Sequence, residues 1–573
     1  MKKLLSQILP AFEHQIVSVD GEIIAPENAG SVPVETLVFD SREVVKNSLF
    51  FALPGTHVDG NKFIPQAIKN GANAVVFQGS FSSELSQKIA FEIAARCIEN
   101  ELFHDNLKFA PVLIKVPDAR FAMAPLSESF YDSPSKRLVV IGVTGTEGKS
   151  STVSFIWQLL NLLGKKAGFI STVEYSFGGP ALPNPQHQTT PESPIIQHHL
   201  NEMLKNGCEY AVVEASSHGL SNKLNRLGNL AFDCGVFMNV TLEHLEFHKD
   251  FETYRNDKAN LFRKLDKFSH VKTIAGIRRE INSVGIVNLE DPSAEFFAKA
   301  TSKKVIGFTT HGLAGKAAAE GKPAQALPAI PSETDYITAK DIVSKTSGIS
   351  FTVSKDGKEL PISAPLPGAF NAYNLMASAL AVQSVTGIDF EQVVSKIPEL
   401  VPVKGRMTVI NQGQPFEVIV DYAHTPSSFE TIFPPIRKRA QGKIFAVFGS
   451  GGERDLTKRP LQGEIASRYC DTVILADEDP RGEDPVELLK MIAAGCEKLG
   501  KIEGKDYFII HDRKEAIRKT FAMAKKDDIV LLLGKSHENS IIFKDYVMPY
   551  DEIAEAKLAL SEMGFNGEYK TNN

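Results

Sequence analysis

The sequence predicts an α/β protein of three domains built around mostly parallel sheets, and three observations carry that expectation. Apolar strand-like runs alternate with helical stretches along all 573 residues, the trace left by parallel sheets with helices on their faces. A glycine-rich turn, within LVVIGVTGTEGKSST at 138–152, joins an apolar strand to a helix and sets the second block apart from the first. Near residue 402 the alternation starts afresh. The length allows three or four domains at roughly 150 residues each.

The first domain is expected over residues 1–117. Its opening segment, MKKLLSQILPAFEHQ, reads as an amphipathic helix, because Gln7, Pro10, Glu13 and His14 interrupt any signal-peptide core. Short strands follow at 37–40, 48–53 and 73–77, with no nucleotide loop among them. The second domain, 118–401, carries the glycine-rich turn and further strands at 167–172, 209–214 and 232–237. Within it, residues 311–333 are rich in Ala, Gly and Pro and read as a weakly ordered surface insertion. The third domain, 402–573, restarts a Rossmann-like alternation with FEVIVDYA (416–423), KIFAVFGSGG (443–452), TVILADEDP (472–480) and DIVLLLG (528–534).

Composition narrows the class. The chain is 43% hydrophobic and 23% charged, with a net charge of −6, so no basic excess suggests nucleic acid. No run approaches the roughly 18 apolar residues of a membrane span. The five cysteines are scattered without CxxC spacing, which fits a reducing cytoplasm and argues against a disulfide framework or structural zinc.

The glycine-rich turn carries the strongest chemistry. Gly145, Thr146 and Gly148 let backbone N–H groups surround phosphate oxygens, Lys149 adds a point charge, and the Ser150-Ser151 pair offers a hydroxyl to Mg²⁺. The helix that follows, with Val153, Ile156, Trp157, Leu160 and Leu163 apolar and Gly164 closing it, aims its positive end at the same phosphates. The strict P-loop spacing would place glycine at 143, where valine stands, so this is a Thr-Gly-Thr variant.

Other candidates sit at later strand ends, where open α/β sheets place ligands. In AVVEASSHGL (211–220) Glu214 is suited to Mg²⁺ beside the Ser150 hydroxyl. Ser216, Ser217 and His218 suit either a site or simple loop capping. Residues 234–262 bring His244, His248 and then Lys258 on a helix. The His-x3-His spacing allows a metal, with surface histidines and a solvated lysine as the plainer reading. GSGGERDLTKRP (449–460) offers Arg454, Lys458 and Arg459 to an anion or carboxylate, or leaves them as solvated charges at a helix start. DEDPRGEDP (477–485) places carboxylates beside Arg481, as a zwitterionic substrate would require, and GKSHE (534–538) leaves Glu538 to pair with an ammonium.

Together these segments resemble the Mur ligase family, ATP-dependent amide-forming enzymes of bacterial peptidoglycan assembly, over nearly the whole chain and in the family's order. The family's TGTNGK-Ser/Thr loop stands here as TGTEGKS, and its glutamate-SSH segment as Glu214 to His218. Its TNxxxDHLDxH segment with a downstream lysine stands as MNVTLEHLEFH with Lys258, and its GxFNxxN segment as Gly368 to Asn374. DYAHTP (421–426) and GGERDLTKRP (451–460) keep their defining positions. DSR (40–42), LFFALPGTHVDGNKF (49–63), Thr189-Thr190-Pro191 and GKSHE resemble the branch that adds a diamino acid to UDP-N-acetylmuramoyl-L-alanyl-D-glutamate.

The resemblance implies an N-terminal UDP-binding domain, a central P-loop-type ATPase domain and a C-terminal Rossmann-like domain that receives the amino acid. It implies that Ser41 and His57 contact the uridine diphosphate, and that Thr189, Thr190, Ser216 and Arg226 hold the muramoyl dipeptide. Gly145, Thr146, Gly148, Lys149, Ser150 and Ser151 would bind the ATP phosphates, Asn371 and Asn374 would approach the adenine, and Arg406 and Asp421 the ribose or phosphates. Lys149, Glu214, His244 and Lys258 would form the catalytic set, with Ser150, Glu214, His244 and a carbamylated Lys258 as Mg²⁺ ligands. Arg454, Asp479, Pro480, Arg481, Gly534 and Glu538 would recognise the diamino acid. The implied partners are the UDP-linked dipeptide and the free amino acid, with no nucleic acid or membrane, for a cytoplasmic enzyme acting as a monomer.

The sequence also departs from the family pattern. Glu147 replaces an asparagine in the loop, Glu243 and Glu246 replace aspartates flanking His244, and Ser536 replaces a glycine. The arginine after SSHGL is displaced, which makes Arg226 the matching choice. Members using meso-diaminopimelate usually read DNPR where this chain reads Glu478-Asp479-Pro480-Arg481. Arg481 favours the distal carboxylate of diaminopimelate, whereas the charge of Asp479 suits lysine or ornithine. Three other readings compete: an unrelated P-loop phosphotransferase, a non-catalytic nucleotide-binding homologue, and folylpolyglutamate synthetase, which lacks an N-terminal block of this kind.

Overall fold

The computed structural model of the chain describes residues 1–24, 29–55, 58–102, 110–185, 188–241, 243, 245–310 and 334–567, with the side chains of 99–102, 245 and 246 left aside. The expected insertion at 311–333 lies outside the described residues. Three principal sheets of five, eleven and six strands succeed one another along the chain.

The first sheet runs in the order Gln15–Val17, Val112–Lys115, Ala72–Phe77, Ser48–Phe51, Thr36–Val38. It is parallel except for Gln15–Val17, which pairs antiparallel with Val112–Lys115. The expected N-terminal helix shrinks to a single turn, Leu5–Ile8. Lys3–Leu4 is drawn into a two-strand pairing with Pro33–Val34, and Pro10 confines the continuation to a short turn at Leu9–Ala11. The helix Ala119–Phe130 packs Ala122, Met123, Leu126 and Phe130 into the core of this first unit. That core therefore runs past the expected boundary at 117.

The eleven-stranded sheet is centred on Val139–Thr144, with Tyr210–Glu214 and Ala167–Ile170 on one side and Cys234–Phe237, Val284–Asn288 and Lys304–Thr309 on the other, all parallel. The register sets Glu214 opposite Val143 and Phe237 opposite Thr144, so the carboxyl ends of the central strands align. Alternate side chains of the central strand serve two cores. Val139, Ile141 and Val143 join the layer containing Val153, Ile156, Leu375 and Leu380, from the helices Lys149–Leu162 and Asn371–Thr386. Leu138 and Val140 join Ile196, Leu200, Leu261 and Leu265 on the opposite face, from Ser193–Lys205 and Phe251–Leu265. Each such buried aliphatic contributes roughly 1.5–3 kcal/mol of transfer free energy, and strands buried on both faces read as continuous apolar runs. The far edge adds a strand that the sequence reading did not name, Asp335–Lys345, and the antiparallel strands Gly348–Lys355 and Lys358–Ala364.

The third sheet orders Thr408–Ile410, Glu417–Asp421, Ile529–Leu533, Ile444–Phe448, Thr472–Leu475 and Tyr507–Ile509, parallel but for the first. The strand expected over 443–452 stops at Phe448, and that over 472–480 at Leu475, so the motif residues beyond them are loop. All five cysteines are free, four buried and Cys97 half-buried. No described helix is long and apolar enough to cross a membrane.

Candidate active site

The buried strand Val139–Thr144 delivers the chain into the glycine-rich turn, and Asn239 shapes that turn. Its Oδ1 accepts from the backbone N–H of Thr146 at 3.1 Å and of Glu147 at 2.8 Å, and its Nδ2 donates to Glu147 O. Thr146 Oγ1 accepts from Thr241 N–H at 3.0 Å and lies 3.1 Å from the Tyr254 hydroxyl. Gly148 has φ +82°, and a Cβ there would meet Asn374 Oδ1 at 2.7 Å. Only glycine fits that backbone and that approach. The helix Lys149–Leu162 then begins with no side-chain cap on its first N–H groups, so its positive end faces the cavity uncovered. Lys149 Nζ donates to Thr146 O at 2.8 Å.

One residue further on, Ser150 Oγ donates to Glu214 Oε1 at 3.1 Å, while Thr172 N–H holds Glu214 Oε2 at 2.8 Å. Thr190 Oγ1 donates to Glu214 O at 2.9 Å and is itself met by Ser216 N–H and Oγ. Arg226 donates to Thr190 O at 3.0 Å and pairs with Glu192, which Arg120 also reaches. Its guanidinium is therefore committed within the protein and stands behind Thr190. Thr189 lines the cavity.

Lys258 is only 2% exposed, which removes the solvated-lysine reading. Its Nζ donates to Gly145 O at 2.6 Å and lies 4.6 Å from the centre of the Tyr254 ring. Burial, and after it the charge of Lys149, holds the amine well below its ordinary pKa. His248 is no surface histidine either: it is 2% exposed and its Nδ1 lies 2.9 Å from Asp257 Oδ2. His218 meets it edge to face, and its ring lies tilted with its centre 4.2 Å from that of Phe247. His57 and His244 lie outside the described residues.

The C-terminal unit closes the other side of a cavity of about 480 Å³. Arg406 reaches Ser150 Oγ at 3.3 Å, and its guanidinium lies over the Tyr422 ring at 4.6 Å. Asp421 accepts from the backbone N–H of Met407 and Ala423, each at 2.8 Å, and burial raises its carboxyl above the usual range. Thr425 Oγ1 donates to Glu147 Oε1 at 3.2 Å, and His424 Nε2 lies 3.7 Å from Glu243 Oε1. Burial works against charge on His424, but Glu243 outweighs it and holds the imidazole above its ordinary value. Burial and Glu243 raise Glu147, with His424 and Lys149 acting the other way. Asn374 lines the cavity and bonds Asn371 Oδ1 at 2.9 Å.

The amino-acid candidates form a separate group at the ends of the third sheet. Glu538 is not free, because Lys535 Nζ bonds it at 2.5 Å and Asp479 Oδ1 at 2.8 Å. Asp479 also accepts from Ile542 N–H. Arg481 has φ +54° and a buried Nε without a partner. Gly534, φ +93°, follows the strand Ile529–Leu533, two places away from Thr472–Leu475 in the sheet, and a Cβ on it would press on Glu478 at 2.5 Å. Pro480 packs its carbonyl against Gly452. Arg454 is exposed, whereas Arg459 is fully buried and pairs with Glu483, so only part of that basic trio is solvated. Ser41, whose carbonyl accepts from Asn70, sits in the loop after Thr36–Val38, apart from the cavity.

The structure thus gathers Lys149, Ser150, Glu214, Asn374, Arg406 and Asp421 around one cavity. Asn239, Thr172 and His424 line the same cavity, and Tyr254 and Lys535 support it and the amino-acid group; the motifs assigned none of these five a role. Asn239 lies inside the motif MNVTLEH, and an asparagine just past the end of the strand Cys234–Phe237 was the available signal. Among the described residues no three His, Cys, Asp or Glu side chains converge as a ready metal site.

A glycine-rich loop of the phosphate-binding kind, faced across a cavity by a second α/β unit with its own charged cluster, has the make-up of a nucleotide site with room for further substrates. Sequence profiles agree: the Mur ligase middle domain matches residues 143–382, the Mur ligase glutamate ligase domain 405–536 and the Mur ligase family catalytic domain 33–131. The UDP-N-acetylmuramyl-tripeptide synthetase of Treponema denticola is 51% identical over 543 residues, covering 92% of this chain and 94% of that one. The UDP-N-acetylmuramoyl-L-alanyl-D-glutamate–2,6-diaminopimelate ligase of Geobacillus kaustophilus is 33% identical over 539 residues, covering 94% and 97%. A solved structure of a UDP-N-acetylmuramoyl-L-alanyl-D-glutamate–2,6-diaminopimelate ligase superposes with a TM-score of 0.56 at 25% identity, covering 96% of this chain and 99% of that one. The chain belongs to the Mur ligase family. It is an ATP-dependent ligase of peptidoglycan synthesis.

Proposed function

We propose that the protein joins a diamino acid, meso-diaminopimelate, to the D-glutamyl carboxylate of UDP-N-acetylmuramoyl-L-alanyl-D-glutamate. The carboxylate takes the γ-phosphoryl group of ATP to give an acyl phosphate. The amine then attacks the acyl carbon, the amide forms and phosphate leaves. Lys149 and the uncapped helix end offset charge on the phosphates, Gly145, Thr146, Gly148 and Ser151 shape their cradle, and Arg406 and Asp421 hold the nucleotide from the facing unit. Asn371 and Asn374 lie toward the base. Thr189, Thr190 and Ser216 hold the dipeptide, with Arg226 positioning Thr190. Ser41 and His57 take the uridine diphosphate.

The Ser150 hydroxyl and Glu214 carboxylate, 3.1 Å apart beside the phosphate cradle, are the oxygen donors that Mg²⁺ prefers. Bound there, Mg²⁺ would neutralise charge on the transferring phosphoryl group. His244 and Lys258 complete the proposed metal set. A neutral amine adds CO₂ and releases a proton to become a carbamate, and the burial that depresses the pKa of Lys258 favours that neutral form.

The observation that carries the choice of amino acid is the pairing of Asp479 with Lys535. The extra negative charge that would suit lysine or ornithine is already neutralised within the protein. Arg481 keeps a nitrogen without a partner and is suited to a distal carboxylate. Gly534, Pro480, Glu538 and Arg454 border that subsite. The diaminopimelate in the Geobacillus relative's name supports the same reading. Initial rates with meso-diaminopimelate, L-lysine and L-ornithine test it. Diaminopimelate is expected to give the highest kcat/KM, and a higher value for either of the others overturns the assignment.

A further inference from the structure

Two of the chain's departures from its family pattern, Glu147 and Glu243, converge on one dipeptide of the facing unit, His424-Thr425. We propose that these four residues form a clasp between the central and C-terminal units, and that Glu147 serves this clasp rather than the phosphates.

Both halves are held rigidly from their own side. Asn239 fixes the backbone on either side of Glu147, and the loop is buried at its start. Thr425 caps the helix Pro426–Arg439: its Oγ1 accepts from Ser428 N–H at 3.1 Å, and Thr425 N–H in turn donates to Ser428 Oγ at 3.0 Å. The Glu147 carboxylate therefore meets the hydroxyl at the positive end of a 14-residue helix, where negative charge is favoured. His424 Nδ1 lies 2.8 Å from Tyr422 O, and Gln462 Nε2 donates to the His424 carbonyl at 2.9 Å. These bonds leave Nε2 turned toward Glu243.

A carboxylate beside phosphates is repelled by them, whereas this one is turned to a hydroxyl donor across the cavity. At Glu243 the additional methylene relative to aspartate lengthens the reach toward His424. The nucleotide loop is thereby tied directly to the unit that carries Asp479, Arg481 and Lys535. Small errors in such positioning are costly to turnover. The consequence for turnover rests on the ligase reading above; the clasp itself does not.

Four variants test the clasp: Glu147→Ala, Glu147→Gln, Thr425→Val and the Glu147→Ala/Thr425→Val double variant, with circular dichroism confirming folding. Small-angle scattering of the whole chain is expected to show a larger radius of gyration for Glu147→Ala and Thr425→Val. Glu147→Gln, which keeps an acceptor for the hydroxyl, should match the parent. In turnover, each clasp-breaking variant should lose about tenfold in kcat/KM for the amino acid, the scale of one hydrogen bond. The double variant should lose no more than the singles, and ATP affinity should stay within about twofold. Unchanged scattering in both single variants overturns the clasp. So does additive loss in the double variant, or a shift in ATP affinity of about tenfold or more for Glu147→Ala. Scattering that changes while no diamino acid supports turnover leaves the clasp standing and overturns the ligase reading instead.

Discussion

Ser150 gives its hydroxyl to the Glu214 carboxylate at 3.1 Å, joining the first turn after the nucleotide loop to the carboxyl end of the adjacent strand. That strand register, with Glu214 opposite Val143, is what carries a carboxylate from 64 residues away in the chain to the phosphate cradle. Glu214→Gln keeps the shape and an oxygen to accept from Thr172 N–H, with its amide nitrogen now donating to Ser150 Oγ, but removes the charge. We expect kcat to fall by about a hundredfold with little change in melting temperature, the loss of one metal-binding carboxylate. Unchanged kcat would exclude Glu214 from the metal site.

Lys258 is built into the protein where a charged amine is disfavoured. Lys258→Ala is expected to lose about three orders of magnitude in rate, and short carboxylic acids should restore part of it by replacing the carbamate. Full activity of the variant would dismiss the carbamate.

On the proposed assignment, Arg481 would distinguish the amino acids. Arg481→Ala should raise KM for meso-diaminopimelate by about 10- to 100-fold, as lost charged hydrogen bonds do, while leaving KM for lysine little altered. Steady-state kinetics on both substrates decide it, and equal effects on the two would remove Arg481 from the distal-carboxylate role.

Lys264 gives a pH dependence with a defined sign. Its Nζ donates to Gly228 O at 2.6 Å, and burial, with Lys267 adding to it, lowers its pKa to about 7. An unfolded lysine keeps its proton to about pH 10.4. Between these values the unfolded chain binds more protons than the folded one, so this residue's contribution to stability rises with pH. Below about pH 7 both states are protonated and the contribution is flat. Denaturant melts from pH 7 to 9.5 should show the parent gaining on Lys264→Met by up to about 1.4 kcal/mol per pH unit. A gap independent of pH would contradict the assignment.

How much of this was legible in the sequence depended on range. The loop at 144–150 was readable because phosphate binding is done by consecutive residues, and the apolar run before it is long enough to be a strand buried on both faces. Glu214 was readable from its place at a strand end. Lys535 was not: its pairing with Asp479 joins loops that follow two strands separated by a third in the sheet, so a motif reading left Glu538 free when it is paired. His248 read as a surface histidine because its partner Asp257 comes from the following helix. Glu147 looked misplaced beside phosphates until the facing unit supplied Thr425, which lies 278 residues later. The N-terminal helix was overestimated because pairing of Lys3–Leu4 with Pro33–Val34, a tertiary contact, overrode local amphipathicity.

The central claim is that ATP cleavage here is spent on joining an amino acid to a UDP-linked dipeptide. The direct measurement is phosphate release by the purified protein given UDP-N-acetylmuramoyl-L-alanyl-D-glutamate, ATP and Mg²⁺, with and without a diamino acid. The account predicts sustained release only when dipeptide and diamino acid are both present, matched mole for mole by the UDP-linked tripeptide. Absence of release with meso-diaminopimelate, L-lysine and L-ornithine alike would contradict it.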